Sequence, residues 1–314
     1  MSDTDITRKV ITMKYFVTGA SGWIGSHVTA ELISHGHHVV GLARSDDSAR
    51  AIQEAGAEVF RGSIDDPDAL RAPAEASDGV IHLAFNHDFS AHLAAIETDR
   101  AVMTVLLDAL VGSNRPFLFA SGVLGKAGPG VVATEDTVID PATAGSPRIL
   151  NGDFALGYAD RGVRPIAAAF APTVHGEGDH GFMAAYVSMD RLVGAAGYVG
   201  DGSNTWPAVN IADAAALVRL GVEKAPAGSV LHAVGEQGVR HLEIAEAIGR
   251  GSGLQVRPFA EGEVAEKAPQ FAWLERFLGV SSLASSEKTQ QLLGWTPTHP
   301  TLIEDLDAGY YTRG

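Results

Sequence analysis

Short apolar runs alternate along this chain with longer stretches in which apolar residues recur every three or four positions. Tyr15-Phe16-Val17 lies in an apolar run over residues 13–18, and Ile24, Val28, Leu32 and Ile33 then share one face of a helix over residues 24–35. Gly36 ends that helix. His38–Leu42, Ala57–Phe60 and Gly79–Ala84 read as the second, third and fourth strands. An Ala- and Leu-rich helix is predicted over about residues 91–112, a strand over Pro116–Ala120, a helix over residues 149–161 closed by Gly162, and a sixth strand over Arg164–Phe170. Strands that alternate with helices imply βαβ units and a parallel sheet covered on both faces. After Ala171 the texture changes. Residues 172–206 are rich in Gly, His and Pro, with one helical piece at Met183–Val193, and helices at Asn210–Val222 and Leu242–Ile248 follow. The predicted fold is α/β: a Rossmann-type doubly wound sheet. Residues 13–171 form its core, and residues 172–314 complete the sheet and build a small C-terminal lobe covering the substrate, without becoming an independent domain.

The turn between the first strand and first helix carries the chemistry. Thr18-Gly19-Ala20-Ser21-Gly22-Trp23-Ile24-Gly25 places three glycines between a strand and a helix N-terminus. The first permits a tight turn, the second lets phosphate oxygens approach the backbone, and the third lets the helix pack on the strand. A dinucleotide pyrophosphate on the helix N-terminus is the expected ligand, with contacts from Gly19, Ser21, Gly22, Trp23, Ile24 and Gly25. The second strand ends at Ala43-Arg44-Ser45. An acid there would favour NAD, whereas an arginine pairs with a 2′-phosphate. Arg44 and Ser45 therefore point to NADP, and the neighbouring Asp46 and Asp47 keep NAD open. Ser63 and Ile64 follow the third strand, where an adenine edge can lie. Leu83, Ala84 and Phe85 end the fourth strand, and Ala120 and Ser121 end the fifth, at the edge where parallel strands open a ligand crevice.

Composition narrows the setting. Hydrophobic residues make up 46% of the 314 residues, enough for a sizeable core. No apolar stretch approaches the roughly 20 residues that span a bilayer, and residues 1–12 lack the apolar centre of a signal peptide. A cytoplasmic protein with no membrane contact is expected. With no cysteine, disulfide and thiolate chemistry are excluded. A net charge of −15 and no stripe of Lys and Arg argue against nucleic acid as a partner.

Taken together, the motifs resemble the short-chain dehydrogenase/reductase superfamily in its extended or atypical branch, the NAD-dependent epimerase/dehydratase type. The likeness rests on the glycine turn, on His82-Leu83-Ala84, on Ser121, on Ala171-Pro172-Thr173-Val174-His175-Gly176, on Asn210-Ile211-Ala212-Asp213-Ala214-Ala215, and on Leu293-Gly294-Trp295-Thr296-Pro297. The resemblance implies that Ser121 is the active-site serine and that Pro172 and Val174 border the nicotinamide. It also implies a Tyr-x-x-x-Lys pair near positions 143 and 147, where Thr143 and Pro147 stand instead. Tyr158 lies well beyond that place. Arg148 and Asn151 are the nearest polar residues: Arg148 is expected to replace the lysine's charge near the ribose, and Asn151 to assist Ser121 by holding the substrate oxygen or a relay water. An NADP-dependent oxidoreductase follows, reducing a small or medium hydrophobic ketone or aldehyde while Ser121 orients the oxygen and water or an unusual donor supplies the proton. A catalytically weak NADP-binding sensor, or an epimerase or dehydratase acting on a sugar-like substrate, stays open as an alternative. In relatives the two alanine-rich helices pair between subunits, which implies a homodimer.

Candidate substrate contacts are Asn86, His87, Val123, His175, Phe182, Met183 and Trp206. Residues 175–180, His-Gly-Glu-Gly-Asp-His, carry ligand types that suit divalent ions, but a glycine turn bordering the ligand accounts for them and no metal is expected.

Overall fold

The computed structural model describes residues 12–86, 92–128, 130–139 and 148–312, and every structural statement below is made of those residues. In chain order the strands are β1 (Lys14–Thr18), β2 (His38–Ala43), β3 (Glu58–Arg61), β4 (Gly79–His82), β5 (Pro116–Gly122), β6 (Val132–Ala133), β7 (Arg164–Phe170), β8 (Thr173–His175), β9 (Ala196–Tyr198), β10 (Thr205–Asn210), β11 (Ser229–Ala233), β12 (Glu236–Arg240), β13 (Val256–Pro258) and β14 (Leu283–Ala284). The helices are α1 (Trp23–Ser34), α2 (Asp46–Glu54), α3 (Arg71–Glu75), α4 (His92–Asp108), α5 (Arg148–Leu156), α6 (Phe182–Val193), α7 (Ile211–Lys224), α8 (His241–Ser252), α9 (Glu263–Lys267), α10 (Ala272–Leu278), α11 (Glu287–Leu293) and α12 (Leu302–Asp307).

Seven strands form one sheet in the order β11-β7-β5-β4-β1-β2-β3. Each neighbouring pair is parallel. Strands covered on both faces read as continuous apolar runs, and Tyr15, Phe16 and Val17 are buried together for that reason. Alternate residues feed opposite layers. Val17, Ile81, Leu118, Ile166 and Leu231 pack with Val28 and Leu32 of α1 and Leu217 and Val218 of α7. Phe16, Val80, Phe117, Phe119 and Ala167 pack with Val102, Met103, Leu106 and Leu107 of α4. A separate apolar cluster lies in the lobe, where Met183 and Val187 of α6, Trp206 of β10, Ile244 and Ile248 of α8, Leu274 and Leu278 of α10 and Leu302 and Leu306 of α12 meet. The sheet strand β11 was not anticipated, and neither were the short helices α9 to α12, which are too brief to show a period.

Three predicted elements end early, the helix expected to reach about residue 112 stopping at Asp108. The helix expected to reach residue 161 stops at Leu156 and tightens into a 3-10 turn over Gly157–Arg161, closed by Gly162 at φ 72°. The strand expected to reach Ala84 stops at His82. There the Leu83 amide still bonds the Thr18 carbonyl, but the Ala84 amide bonds the Thr18 hydroxyl at 3.2 Å, so a side chain replaces the next rung of the ladder. No helix is long and apolar enough to cross a membrane.

The tightest point of the fold is a glycine pair. A Cβ on Gly25 would sit 1.9 Å from the Gly19 carbonyl oxygen, whereas one on Gly157 would meet nothing within 4 Å. Overpacking of this kind costs about 1–3 kcal/mol. Gly25→Ala is expected to lower Tm by roughly 5 °C in a thermal melt, and Gly157→Ala to leave it within about 1 °C. Equal melting of the two variants would show that the turn relaxes freely.

Candidate active site

β1 ends at Thr18 and the chain turns at Gly19 with φ 71°, in the left-handed region that favours glycine. A Cβ there would also lie 2.8 Å from the Ala84 amide nitrogen. Gly22 is the N-cap of α1, no side chain caps it, and the first turn holds no acid. The amide groups of that turn and the positive end of the helix dipole are therefore free of any protein anion. Bare backbone, packed where no side chain fits, suits a pyrophosphate. Ser21 and Ile24 line this turn half-buried. Trp23 ties it to the opposite wall, since its Nε1–H donates to the Val174 carbonyl at 2.7 Å. His27 and His180 flank the indole edge-on, with ring centroids 4.6 and 5.6 Å away.

At the ends of β2 and β3 the charges sort into pairs, with one cation left over. Asp46 accepts from Arg61 at 2.6 Å and Asp47 lies 3.4 Å from Arg50. Arg44 is exposed and makes no ion pair. Ser45 caps α2 by accepting from the Ser48 amide, while Ser48 returns a bond to the Ser45 amide, a capping box that fixes the chain just past Arg44. Ser63 donates to Asp65 at 2.9 Å and closes a local turn, and Ile64 packs on the apolar layer under α4.

A buried polar chain runs beneath the crevice between β1 and α5. The Thr18 hydroxyl lies 2.7 Å from His82 Nδ1, and His82 Nε2 lies 3.2 Å from Asp99. Asn151 donates to the other Asp99 oxygen at 2.9 Å and to the Ile96 carbonyl at 3.0 Å, and its own oxygen accepts from Arg100. Burial works against the Asp99 charge, but the bonds from His82 and Asn151 and the nearby Arg148 guanidinium outweigh it and hold the carboxyl below its ordinary range. Asn151 therefore has another place than the one expected of it. It is 4% exposed and its amide is spent on α4, because the first turn of α5 faces α4 there. Tyr158 is likewise committed, donating to Asp108 at 2.9 Å.

Above this chain, at the mouth of the crevice, Ser121 is half-buried near the end of β5 and its hydroxyl makes no hydrogen bond with the other described residues. Arg148 lies beside it: the guanidinium stacks 3.8 Å from the Phe85 ring and reaches the Ala120 carbonyl at 3.5 Å. Burial depresses its pKa, with Asp99 opposing. Leu83, Ala84 and Phe85 are half-buried along the same edge, and Asn86 is exposed beyond them. His87, and positions 143 and 147, near which the resemblance implies a Tyr and a Lys, lie outside the described residues.

The lobe side holds the other candidates, and several face inward. Trp206 and Met183 are 0% and 1% exposed, and the indole N–H donates to the Val280 carbonyl at 3.1 Å. They form the interior of the lobe rather than a pocket wall, because β10 threads its centre. Val123 is fully buried, held by its amide on the Phe170 carbonyl. Pro172 is half-buried and Val174 buried. His175 is also interior: Nδ1 bonds Asp305 of α12 at 2.6 Å, and Asn210 donates to the same oxygen at 3.2 Å. Asp179 accepts from the Gly181 amide and from Tyr311, whose hydroxyl in turn accepts from the Gly176 amide, so residues 175–180 are tied to the C-terminal turn. Phe182 is half-buried in an edge-to-face cluster with Trp273 and Phe277 of α10, at centroid distances of 5.3 and 5.7 Å. Leu124 of the loop after β5 packs, like these aromatics, against the lobe's apolar core. Trp273 and Phe277 were missed in the sequence, although their spacing of four puts them on one helical face. Lys126 and His232 were missed as well, since nothing in either segment alone connects them.

Comparison with known proteins agrees with this architecture. The model of the NAD dependent epimerase/dehydratase family matches residues 15–235. An uncharacterised protein of Saccharomyces cerevisiae is 42% identical over 95% of this chain and 99% of its own length. The decarboxylating sterol-4-alpha-carboxylate 3-dehydrogenase of Dictyostelium discoideum is 25% identical over 72% of each. Among solved structures, the UDP-glucose 4-epimerase of Thermotoga maritima superposes with a TM-score of 0.74 at 20% identity, covering 95% of this chain and 97% of that one. With its glycine turn, parallel sheet and Ser121 edge, the chain belongs to the NAD dependent epimerase/dehydratase family, enzymes of the atypical short-chain dehydrogenase/reductase class.

Proposed function

We propose that the protein is an NADP-dependent oxidoreductase that reduces a small or medium hydrophobic ketone or aldehyde. The observation that carries this reading is Ser121: a half-buried hydroxyl at the end of β5 that makes no hydrogen bond with the other described residues, on the sheet edge to which the glycine turn also belongs. A bound reduced nicotinamide would supply hydride to a carbonyl carbon. Gly19, Gly22 and Gly25 would hold its pyrophosphate, and Arg44, the one cation at the β2 edge left without an acid, would read the 2′-phosphate. Ser121 would donate to the carbonyl oxygen, where negative charge develops. The aromatic cluster would face the apolar part of the substrate and exclude water. Arg148 would lend positive charge beside the ribose. Asn151 acts through Asp99 as a positioning residue, holding α5 on α4. The sterol dehydrogenase among the relatives is consistent with an apolar carbonyl substrate.

NADPH oxidation against a panel of aryl and alkyl ketones, run beside NADH, tests the reading. Ketone-dependent turnover that favours NADPH is expected, and tight NADPH binding without turnover across the panel would overturn it. Arg44→Ala should raise the KM for NADPH about tenfold or more and leave that for NADH within about twofold; equal effects would remove Arg44 as the phosphate reader. Ser121→Ala should lower kcat roughly 100-fold with little change in cofactor affinity, and unchanged turnover would mean that another group holds the oxygen. Asn151→Ala should instead cost about 2–3 kcal/mol of stability in a denaturant titration, because it strips partners from the buried Asp99 carboxylate, while the ketone KM stays within about twofold.

A further inference from the structure

The family's proton-donating pair is absent from this sequence, and a lysine elsewhere stands at the same sheet edge. Parallel register aligns Ser121 of β5 with Ala169 of β7, and Ala169 with His232 of β11. Paired residues of parallel strands point to one face, and Phe117, Phe119, Ala167 and Val230 identify it as the α4 and α5 face. Ser121 and His232 thus stand about 10 Å apart at the backbone, in register on either side of Ala169. Lys126, on the loop that follows Ser121, places its Nζ 3.3 Å from His232 Nε2.

The orientation of the pair is determined. His232 Nδ1 lies 2.8 Å from the Ser285 carbonyl, an acceptor only, so Nδ1 carries the proton and Nε2 offers its lone pair to Lys126. Burial and the neighbouring Lys126 charge push the His232 pKa down to about 4, so the ring is neutral. Its backbone is fixed too, since its amide donates to Thr289 Oγ1, which donates in turn to Glu135. Lys126 is half-buried and makes no ion pair. Burial lowers its pKa, opposed by more distant Glu135 beyond β6 and Asp153 on α5. Among the described residues, His232, Glu135 and Asp153 are the titratable groups that act on it. A purely structural lysine would gain from an acid at this place. A neutral imidazole holds the ammonium in position and leaves its proton easier to release.

We propose that Lys126 is the acid of the reaction, its ammonium held by His232 and delivering a proton to the substrate oxygen that Ser121 orients. The inference rests on the carbonyl reductase reading. As hydride from the reduced nicotinamide forms the new C–H bond, the carbonyl π pair moves to oxygen. That oxygen takes a proton from Nζ, and the neutral amine regains one from solvent. The products are the alcohol and the oxidised cofactor.

Two measurements test it. The first needs no turnover: competitive acylation of the cofactor-free protein with acetic anhydride across pH, mapped by mass spectrometry. Lys126 is expected to titrate below the surface lysines Lys14 and Lys288. Titration together with them would overturn the proposal. The second compares wild type, Lys126→Met and Lys126→Arg in NADPH-dependent ketone reduction. Both variants should lose about 100-fold in kcat, with NADPH affinity and Tm near wild type, because an arginine keeps the charge but does not release a proton at neutral pH. Wild-type kcat and pH profile in Lys126→Arg would show a merely structural or charge role and overturn the assignment alone. Absence of turnover in the wild type at every pH would overturn the reductase reading and this proposal together.

Discussion

No side chain fits between the backbones of Gly19 and Gly25, and most of the site depends on that contact. It brings the first turn of α1 against the end of β1, so the uncapped amides of α1 open at the same edge as Leu83, Ala84 and Ser121. The edge is shared because the seven strands are parallel, which sends every strand out at one side of the sheet. Chemistry from residues more than two hundred positions apart meets there without any local motif to announce it.

Under the edge lies a second constraint, the polar chain Thr18–His82–Asp99–Asn151–Arg100. Polar groups taken out of water are tolerated when each finds a partner, and here a hydroxyl, an imidazole, a carboxylate and an amide satisfy one another in sequence. The chain joins β1, β4, α4 and α5, the elements that carry the glycine turn and Arg148. A network of this kind fixes relative position more than it adds stability, because water would have satisfied the same groups in the unfolded state.

The first half of the molecule was legible because its signals are local. An apolar run, a glycine turn and a 3.6-residue period suffice to place β1, α1 and their successors, and Ser121 follows from the end of a strand. What was not legible depends on rotation and register. Whether Asn151 meets a substrate or α4 is decided by the rotation of α5, which Arg100 over Phe154 and Tyr158 on Asp108 set from another helix. Trp206 has the composition of a pocket wall, and only the path of β10 through the lobe makes it interior. Lys126 and His232 become neighbours solely because β5, β7 and β11 are aligned, a fact spread over more than a hundred residues.

The C-terminal turn carries a consequence for ligand binding. His175 and Gly176 border the glycine turn through Trp23 and Val174, and they are held from behind by Asp305 and Tyr311. Two ordering events therefore share one segment. Whatever free energy a bound dinucleotide contributes to fixing residues 174–180 is returned in equal measure to the docking of α12, since coupling between two equilibria is reciprocal. The final helix acts in this sense as a second ligand of the cofactor site, covalently supplied and present at a fixed effective concentration.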